Sequence, residues 1–357
     1  MGPGVRPLSS GPGVKGSPSW SPSGERIAFT VDGYVVDKAP DDQDFERRTT
    51  KDFKALTVTW MASGNSLAIL GTDSRSAPGT PSSSGSLAFY ETSPKEGSLE
   101  VNRISPGAKI MASGPAGEWV LLAVEEGAES RLTLAEAGGN VQPLAAAVEG
   151  EVTGMSVSPA GDMAVLAVRD ATSNRFEIHA YSFPGSDLQR IARLEEGMEI
   201  IGDPQWTKNG IYYAAGEEES LERDAAPFDL YRVPSGSTTP ELAPGIGDDF
   251  VTSNLKRDPK GERLAVIGRR NPSSSENLYV LDLASENLEA VTSNEDMQIK
   301  TATADLAWSF DGSSVVIVAR AVLSKPKVYS APVDTLVTDF YNLYEVAIES
   351  PTGSVAE

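Results

Sequence analysis

The sequence contains no cysteine and a single histidine, His179, among its 357 residues. Without cysteine, the chain cannot form a disulfide framework, a thiolate metal site or a cysteine nucleophile. A single histidine excludes every site that needs two, which covers most zinc sites. We assign no metal ligand and no cofactor, and the sequence leaves a metal in the channel open. The missing thiols do not fix a compartment, because they suit both a reducing cytosol and a secreted protein that manages without disulfides.

Positive charge and long apolar runs are also scarce. The chain has 30 Lys and Arg against 51 Asp and Glu, a formal net charge of −21. A field of that sign repels phosphate backbones and anionic membrane surfaces, so we expect no nucleic-acid partner. No stretch approaches the roughly 18 apolar residues of a membrane span.

The first residues, "MGPGVRPLSSGPGVKG", lack the charged and then apolar regions of a signal peptide. Two localisations stay open. The protein is extracytoplasmic, in the periplasm or at the cell surface, if an export signal or anchor precedes Met1 in the full-length protein. Otherwise it is cytoplasmic.

Glycine and proline, by contrast, are frequent and separate short apolar runs, a pattern typical of many short strands joined by turns. The segment "WSPSGERIAF" at 20–29 is the first of a series. Clear copies are "TWMASGNSLAIL", "PQWTKNGIYYAA" and "AWSFDGSSVVIV", and weaker ones are "SGPAGEWVLLAV", "SVSPAGDMAVLAV" and "KRDPKGERLAVI". Their turn glycines are Gly24, Gly64, Gly117, Gly161, Gly210, Gly261 and Gly312. A repeat of roughly 40–50 residues built from short strands predicts a β-propeller.

Each repeat supplies the four strands of one blade. The glycine closes a tight turn where a positive φ is easily adopted, and the apolar run after it is a central strand. Third strands follow in "FEIHAYSF", "FDLYRV", "NLYVLDL" and "KVYSAPV", and fourth strands in "VQPLAAA", "PELAPG" and "LEAVTS". The prediction is an all-β fold: a single closed β-propeller of four-stranded blades over residues 5–348. Seven blades are favoured, with six or eight left open, and 349–357 form a flexible C-terminal tail.

The N-terminal residues complete this prediction. "VRPLSSGPGVKGSPSWSP" aligns with "VQPLAAAVEGEVTGMSVSP", which makes Val5 to Ser9 the outer strand of a blade whose inner strands are C-terminal. This strand would close the ring and remove free sheet edges.

The segments "SPSWSPSGERIAF", "DPQWTKNGIYYAA" and "DLAWSFDGSSVVIV" resemble the TolB-type, WD-like propeller repeat, with a consensus of about P-x-W-S-P-D-G-x-x-I-A-F. The resemblance covers nearly the whole chain. The consensus Asp survives only as Asp311, and the helical N-terminal domain of TolB is absent, so partner specificity is not carried over. The resemblance implies a bacterial envelope setting, where similar propellers scaffold protein complexes.

The innermost strands of a propeller line its central channel. Candidate binding residues on these strands are Asp203, Asn254, Lys256, Arg257 and Asp305. Arg257 occupies the register where Trp20, Trp60, Trp206 and Trp308 stand in other repeats. An arginine there needs either a ligand carboxylate or a structural ion pair. We favour the ion pair, with Asp248 and Asp249 as candidate partners, and these two aspartates are themselves further binding candidates. The four tryptophans are read as packing residues, with a sugar-stacking platform as the minority alternative.

Long loops at 72–86, 216–227 and 270–276 share one face of the predicted propeller. They either build a binding rim, with Glu218 and Arg223 as candidates, or are solvated insertions. A cation site from Glu217, Glu218, Glu219 and Asp224 lacks the spacing of a calcium loop.

These features favour a non-catalytic scaffold that binds a protein, peptide or small ligand at its loop-rich face and channel mouth. We expect a basic or neutral partner and a monomer. The alternative is a carbohydrate-active propeller enzyme of the two-carboxylate glycosidase type, although no carboxylate pair stands out and no catalytic residue is assigned. A histidine-rich lyase propeller is excluded by the solitary His179, and no G-x-S-x-G elbow occurs. A third hypothesis is a structural domain of a larger anchored protein.

Overall fold

A computed structural model describes residues 4–42, 44–73, 86–91, 99–100, 108–114, 119–137, 140–183, 187–217, 228–247, 249–270, 274–293, 297–301, 305–321 and 340–348. Within these ranges, the chain forms seven small antiparallel sheets and no α-helix. This confirms the predicted all-β fold and selects seven blades over six or eight. No helix of the described residues is long and apolar enough to cross a membrane.

The strands follow the chain blade by blade, after an N-terminal strand β1 (Val5–Pro7). Blade 1 holds β2 (Lys15–Trp20), β3 (Ile27–Val31), β4 (Tyr34–Lys38) and β5 (Glu46–Arg47). Blade 2 holds β6 (Phe53–Trp60), β7 (Ser66–Asp73), β8 (Ser86–Glu91) and β9 (Leu99–Glu100). Blade 3 holds β10 (Ala108–Ser113), β11 (Trp119–Glu126), β12 (Glu129–Glu136) and β13 (Val141–Glu149). Blade 4 holds β14 (Glu151–Val157), β15 (Met163–Arg169), β16 (Phe176–Ser182) and β17 (Asp187–Arg193).

The remaining blades keep this order. Blade 5 holds β18 (Met198–Thr207), β19 (Gly210–Glu217), β20 (Asp229–Pro234) and β21 (Glu241–Leu242). Blade 6 holds β22 (Val251–Arg257), β23 (Arg263–Arg269), β24 (Asn277–Asp282) and β25 (Asn287–Ala290). In blade 7 the inner strand is split into β26 (Met297–Ile299) and β27 (Leu306–Trp308), both paired with β28 (Ser314–Ala321), which pairs with β29 (Asn342–Ala347).

Strand β1 closes the ring, as predicted from the sequence. It pairs antiparallel with β29, with Val5 opposite Val346 and Pro7 opposite Tyr344, and so becomes the outer strand of blade 7. One prediction needs correction: "KVYSAPV", at 327–333, was predicted as the third strand of this blade. The structure uses β29 instead, because Val346 pairs with both Val5 and Val315 there. Residues 327–333, like the predicted tail at 349–357, lie outside the described residues.

The core lies between neighbouring blades. Ala28 and Val35 of blade 1, for example, pack in one cluster with Leu67 and Ile69 of blade 2. Central strands such as β15 and β28 are apolar on both faces, because each blade is covered on both sides by its neighbours. The repeat turns that the structure describes close as predicted, for example at Gly24, which has a φ of 73°.

The tryptophans of the repeat pack into this core. Trp20, Trp60 and Trp308 are buried in clusters between blades, and Trp206 packs partly buried against another.

The inner strands are bulged at a common point. The pairing register between inner and second strand shifts in blades 1 to 6, and blade 7 breaks its inner strand there. A bulge re-aims the side chains beside it. The N–H of Val58 donates to Ser17 Oγ at 3.0 Å, and the N–H of Met155 donates to Asp203 Oδ1 at 3.0 Å. Polar side chains at the bulge thus tie each of these blades to a neighbour.

Candidate functional site

A central cavity of about 540 Å³ runs along the axis of the propeller. Residues of all seven inner strands line it, and the lining extends to Pro22, Ala62, Pro259 and Phe310 in the repeat turns. The cavity therefore opens on the face that carries the repeat turns. Its volume lies in the range of about 300–1,000 Å³ that is usual for ligand sites.

Hydroxyl groups make up much of the cavity wall, and several of them join neighbouring blades. The N–H of Trp60 donates to Ser19 Oγ at 3.0 Å, and Ser156 Oγ donates to the carbonyl of Pro204 at 2.5 Å. The hydroxyl of Thr59 donates to Ser113 Oγ at 3.2 Å. Because blade-to-blade hydrogen bonds fix these groups, the wall is pre-organised rather than adaptable.

The tryptophans at the border of the cavity differ in hydrogen bonding. Trp308 Nε1 donates to the carbonyl oxygen of Lys256 in blade 6 at 2.9 Å. The indole nitrogens of Trp20 and Trp60 are buried without an acceptor among the described residues. The three rings share a register but not the same chemical environment.

A charged corner of the cavity brings together three of the residues predicted from the sequence, Asp203, Lys256 and Arg257. Lys256 Nζ lies 3.9 Å from Asp203 Oδ2, while Oδ1 of the same carboxylate accepts the N–H of Met155. Between them, Gln205 is buried and uses both ends of its amide. Its Oε1 accepts the N–H of Arg257 at 3.2 Å, and its Nε2 donates to the carbonyl of Asp203 at 2.9 Å.

The guanidinium of Arg257 binds two main-chain carbonyls. Its Nη2 donates to the oxygen of Val157 at 2.8 Å and its Nη1 to the oxygen of Asp258 at 3.1 Å. Val157 belongs to blade 4, so the side chain reaches from blade 6 past the inner strand of blade 5. Burial lowers the pKa of Arg257 to about 10, with the negative charge of Asp258 opposing the shift. The group therefore stays positively charged at neutral pH.

No carboxylate of the described residues forms an ion pair with Arg257. The carboxylate of Asp258 accepts the N–H groups of Glu262 and Arg263 and lies 3.5 Å from the Arg263 guanidinium. Asp249 is exposed and precedes β22, whereas Arg257 ends it, about 20 Å away along the strand. The ion pair favoured from the sequence is therefore not made with Asp249, and Asp248 lies outside the described residues.

The other inner-strand candidates are buried behind the cavity wall. Asn254 and Asp305 are each 2 % exposed, and neither lines the cavity. Asp305 Oδ1 accepts the N–H of Ser17 at 3.1 Å, and its Oδ2 lies 2.7 Å from Lys300 Nζ. Burial raises the pKa of Asp305, with the Lys300 ammonium and the Ser17 N–H opposing the shift.

The loop-rich face is only partly described. Glu218 and Arg223, and most of the loops at 72–86 and 216–227, lie outside the described residues. In the third loop, Ser253 Oγ donates to Glu276 Oε1 at 2.9 Å, and Arg269 Nη1 lies 3.5 Å from the same oxygen. Burial raises the pKa of Glu276, with the Ser253 hydrogen bond and the Arg269 charge opposing it.

Two chemistries can be compared with this geometry. Asp203 is the one carboxylate among the described residues that line the cavity, so the facing pair of a two-carboxylate glycosidase is not assembled there. In the same part of the chain, no group of three or more His, Asp or Glu side chains is placed to hold a metal ion.

Gln205 and the Val157 carbonyl belong to the site but were not predicted. Gln205 carried a signal, since the position before the repeat Trp is also polar in Ser19 and Thr59. The Val157 carbonyl could not be predicted from the residue type, because every residue has a main-chain carbonyl. The sequence interpretation placed the binding surface on the loop-rich face and at the channel mouth, and the described cavity opens at the repeat turns.

No protein-family model matches the chain, and no curated protein matches it. Solved structures do. An oligogalacturonate lyase from Vibrio parahaemolyticus aligns with a TM-score of 0.65 at 9 % identity, over 97 % of this chain and 94 % of the lyase. A protein assigned as TolB from Agrobacterium tumefaciens aligns with a TM-score of 0.52 at 11 % identity, over 97 % of each chain. A prolyl endopeptidase aligns with a TM-score of 0.62 at 8 % identity, over 94 % of this chain and 50 % of that one.

At these identities, the likeness shows the propeller fold alone. The similar structures include TolB as well as enzymes, so the fold does not choose between binding and catalysis.

Proposed function

We propose that this protein is a non-catalytic binding propeller that takes a short peptide segment into its central cavity from the repeat-turn face. The proposal rests on the central cavity. Residues of all seven inner strands line this space of about 540 Å³, and its described lining contains a single carboxylate. Such a cavity can bind a ligand, and its described lining does not provide the paired carboxylates that the competing glycosidase hypothesis needs.

A peptide suits the lining better than an apolar small molecule. The wall combines hydroxyl groups such as those of Ser17, Thr57 and Thr153 with apolar side chains such as Met155 and Trp308. Main-chain amides need donors and acceptors at short intervals, and hydroxyls supply both. The net charge of −21 favours a segment whose remaining residues are basic or neutral.

The setting that we propose is extracytoplasmic, in the bacterial cell envelope. Support comes from the TolB-type repeats at Trp20, Trp206 and Trp308. In that setting the propeller would act as a monomeric scaffold, anchored through another part of the full-length protein.

The test is to fill the cavity. Ala307 lines it, while Ala290 is exposed on the outer strand β25. Immobilised wild-type protein, Ala307→Trp and Ala290→Trp would be incubated with a pool of random-sequence heptapeptides. Retained peptides would be quantified by mass spectrometry, which also shows whether they are released intact.

We expect wild type and Ala290→Trp to retain the same intact peptides and Ala307→Trp to retain about tenfold less, the ratio for a lost 1.4 kcal/mol. Equal retention by all three proteins would place binding outside the cavity and overturn the proposal. Shortened peptides, or no retention by wild type, would overturn it as well.

A further inference from the structure

We propose that Arg257 receives the C-terminal carboxylate of the bound peptide, so that the cavity recognises a chain end rather than an internal segment. This inference rests on the proposed function and adds the ligand class. Its basis is a guanidinium at the cavity wall that holds two carbonyls and, within the described residues, has no carboxylate partner.

The geometry of Arg257 leaves donors available. A guanidinium carries five N–H donors in a planar fork. One from each Nη is used by the carbonyls of Val157 and Asp258, which hold the side chain in place across blade 5. The other three donors have no acceptor among the described residues. A fixed fork with spare donors matches the two oxygens of a carboxylate.

The charge balance of the cavity points the same way. Its described lining holds two cations, Lys256 and Arg257, and one carboxylate, Asp203, which lies 3.9 Å from Lys256 Nζ. The wall is thus locally positive in a protein whose net charge is −21. A partly buried guanidinium that is hydrogen-bonded only to neutral carbonyls is less well stabilised than one that also binds a carboxylate, so an incoming carboxylate would stabilise it.

Binding of a peptide C-terminus is also compatible with the negative net charge of the protein. A peptide rich in Asp or Glu would be repelled by the overall field. A C-terminal carboxylate brings one negative charge on a chain whose other residues can be basic or neutral. The position of Arg257 at the end of β22, beside Pro259 in the repeat turn, places it near the open end of the cavity.

The experiment uses two heptapeptide pools of identical random composition, one with a free C-terminal carboxylate and one C-terminally amidated. Each pool is passed over the full-length wild type, Arg257→Gln, Arg257→Lys and Arg131→Gln. Arg131 is an exposed arginine on β12 that pairs with Glu126, so its removal changes net charge equally away from the cavity. Thermal unfolding of each variant verifies that it is folded.

Wild type and Arg131→Gln should retain the free-acid pool about tenfold to a hundredfold better than the amidated pool, the range for a hydrogen bond to a charged group. Arg257→Gln should retain both pools at the lower level, and Arg257→Lys should show an intermediate preference because it keeps the charge but not the fork. Equal retention of both pools by wild type would overturn this inference while leaving the binding function standing. Retention of neither pool would overturn both.

Discussion

Ser17 and Asp305, separated by 288 residues in the sequence, meet at the seam where the last blade joins the first. The main-chain N–H of Ser17 donates to Asp305 Oδ1 at 3.1 Å, and Lys300 Nζ lies 2.7 Å from the other oxygen. The pairing of β1 with β29 closes the outside of the ring, and this contact closes the inside. This carboxylate therefore helps to join the first and last blades at the channel wall.

The first prediction concerns this seam. Asp305→Ala should lower the free energy of unfolding by about 2 kcal/mol, because it leaves the buried N–H of Ser17 without an acceptor. The ion pair with Lys300 adds less to the free energy of unfolding than a pair with a fully buried partner would, since the Lys300 side chain is 32 % exposed and reaches water. Urea unfolding measures the loss. Asp187→Ala, at an exposed position on β17, is the matched control and should stay within about 0.5 kcal/mol of wild type. A similar small change in Asp305→Ala would contradict the seam's role.

The second prediction compares Trp308 with Trp60, which differ in the hydrogen bonding of their indole nitrogens. Trp308→Phe removes the hydrogen bond to the Lys256 carbonyl and weakens the cation–π contact of Arg263, whose guanidinium carbon lies 5.0 Å from the ring centroid. Trp60→Phe removes the same volume from an equally buried site but no hydrogen bond among the described residues. We expect Trp308→Phe to cost about 1–2 kcal/mol more than Trp60→Phe in urea unfolding. Equal losses would show that packing alone sets the tryptophan contribution.

More of the fold than of the candidate site could be predicted from the sequence, for a physical reason. Repeated turns such as those at Gly24 and Gly312 give a local, periodic pattern in the sequence. The alignment of Val5–Pro7 with other outer strands located the ring closure. The third strand of blade 7 was misplaced because "KVYSAPV" and "NLYEVA" carry similar alternation, and only pairing with β1 separates them. Arg257 was found because it is an exception to the repeat pattern. Its hydrogen-bond partners could not be predicted, because they are main-chain oxygens, which every residue has.

The third prediction concerns close packing of the inner strands. A Cβ at Gly154 would lie 2.3 Å from the carbonyl oxygen of Gly202 in the neighbouring blade, and backbone cannot rotate away as a side chain can. Gly154→Ala should therefore force blades 4 and 5 apart and cost about 1–3 kcal/mol in urea unfolding. Gly247→Ala is the matched control, since nothing lies within 4 Å of its added Cβ. Unchanged stability of Gly154→Ala would show that the inner strands separate freely.

The last prediction is a pH dependence with a defined sign. Burial raises the pKa of Glu276 above its ordinary value of 4.5, so the folded state holds this proton at pH values where the unfolded state has released it. As pH rises through that window, ionisation favours unfolding, and the wild type should lose stability relative to Glu276→Gln, which cannot ionise. Below the window, where both states are protonated, the difference should be constant.

Urea unfolding of both proteins at closely spaced pH values measures this difference. Ser253→Ala sharpens the test, because it removes the hydrogen bond that favours the charged carboxylate and should extend the window to higher pH. A stability difference between wild type and Glu276→Gln that does not change with pH would mean that this carboxylate is as well solvated in the folded propeller as in the unfolded chain. A difference that changes in the opposite direction would mean that Arg269 outweighs burial.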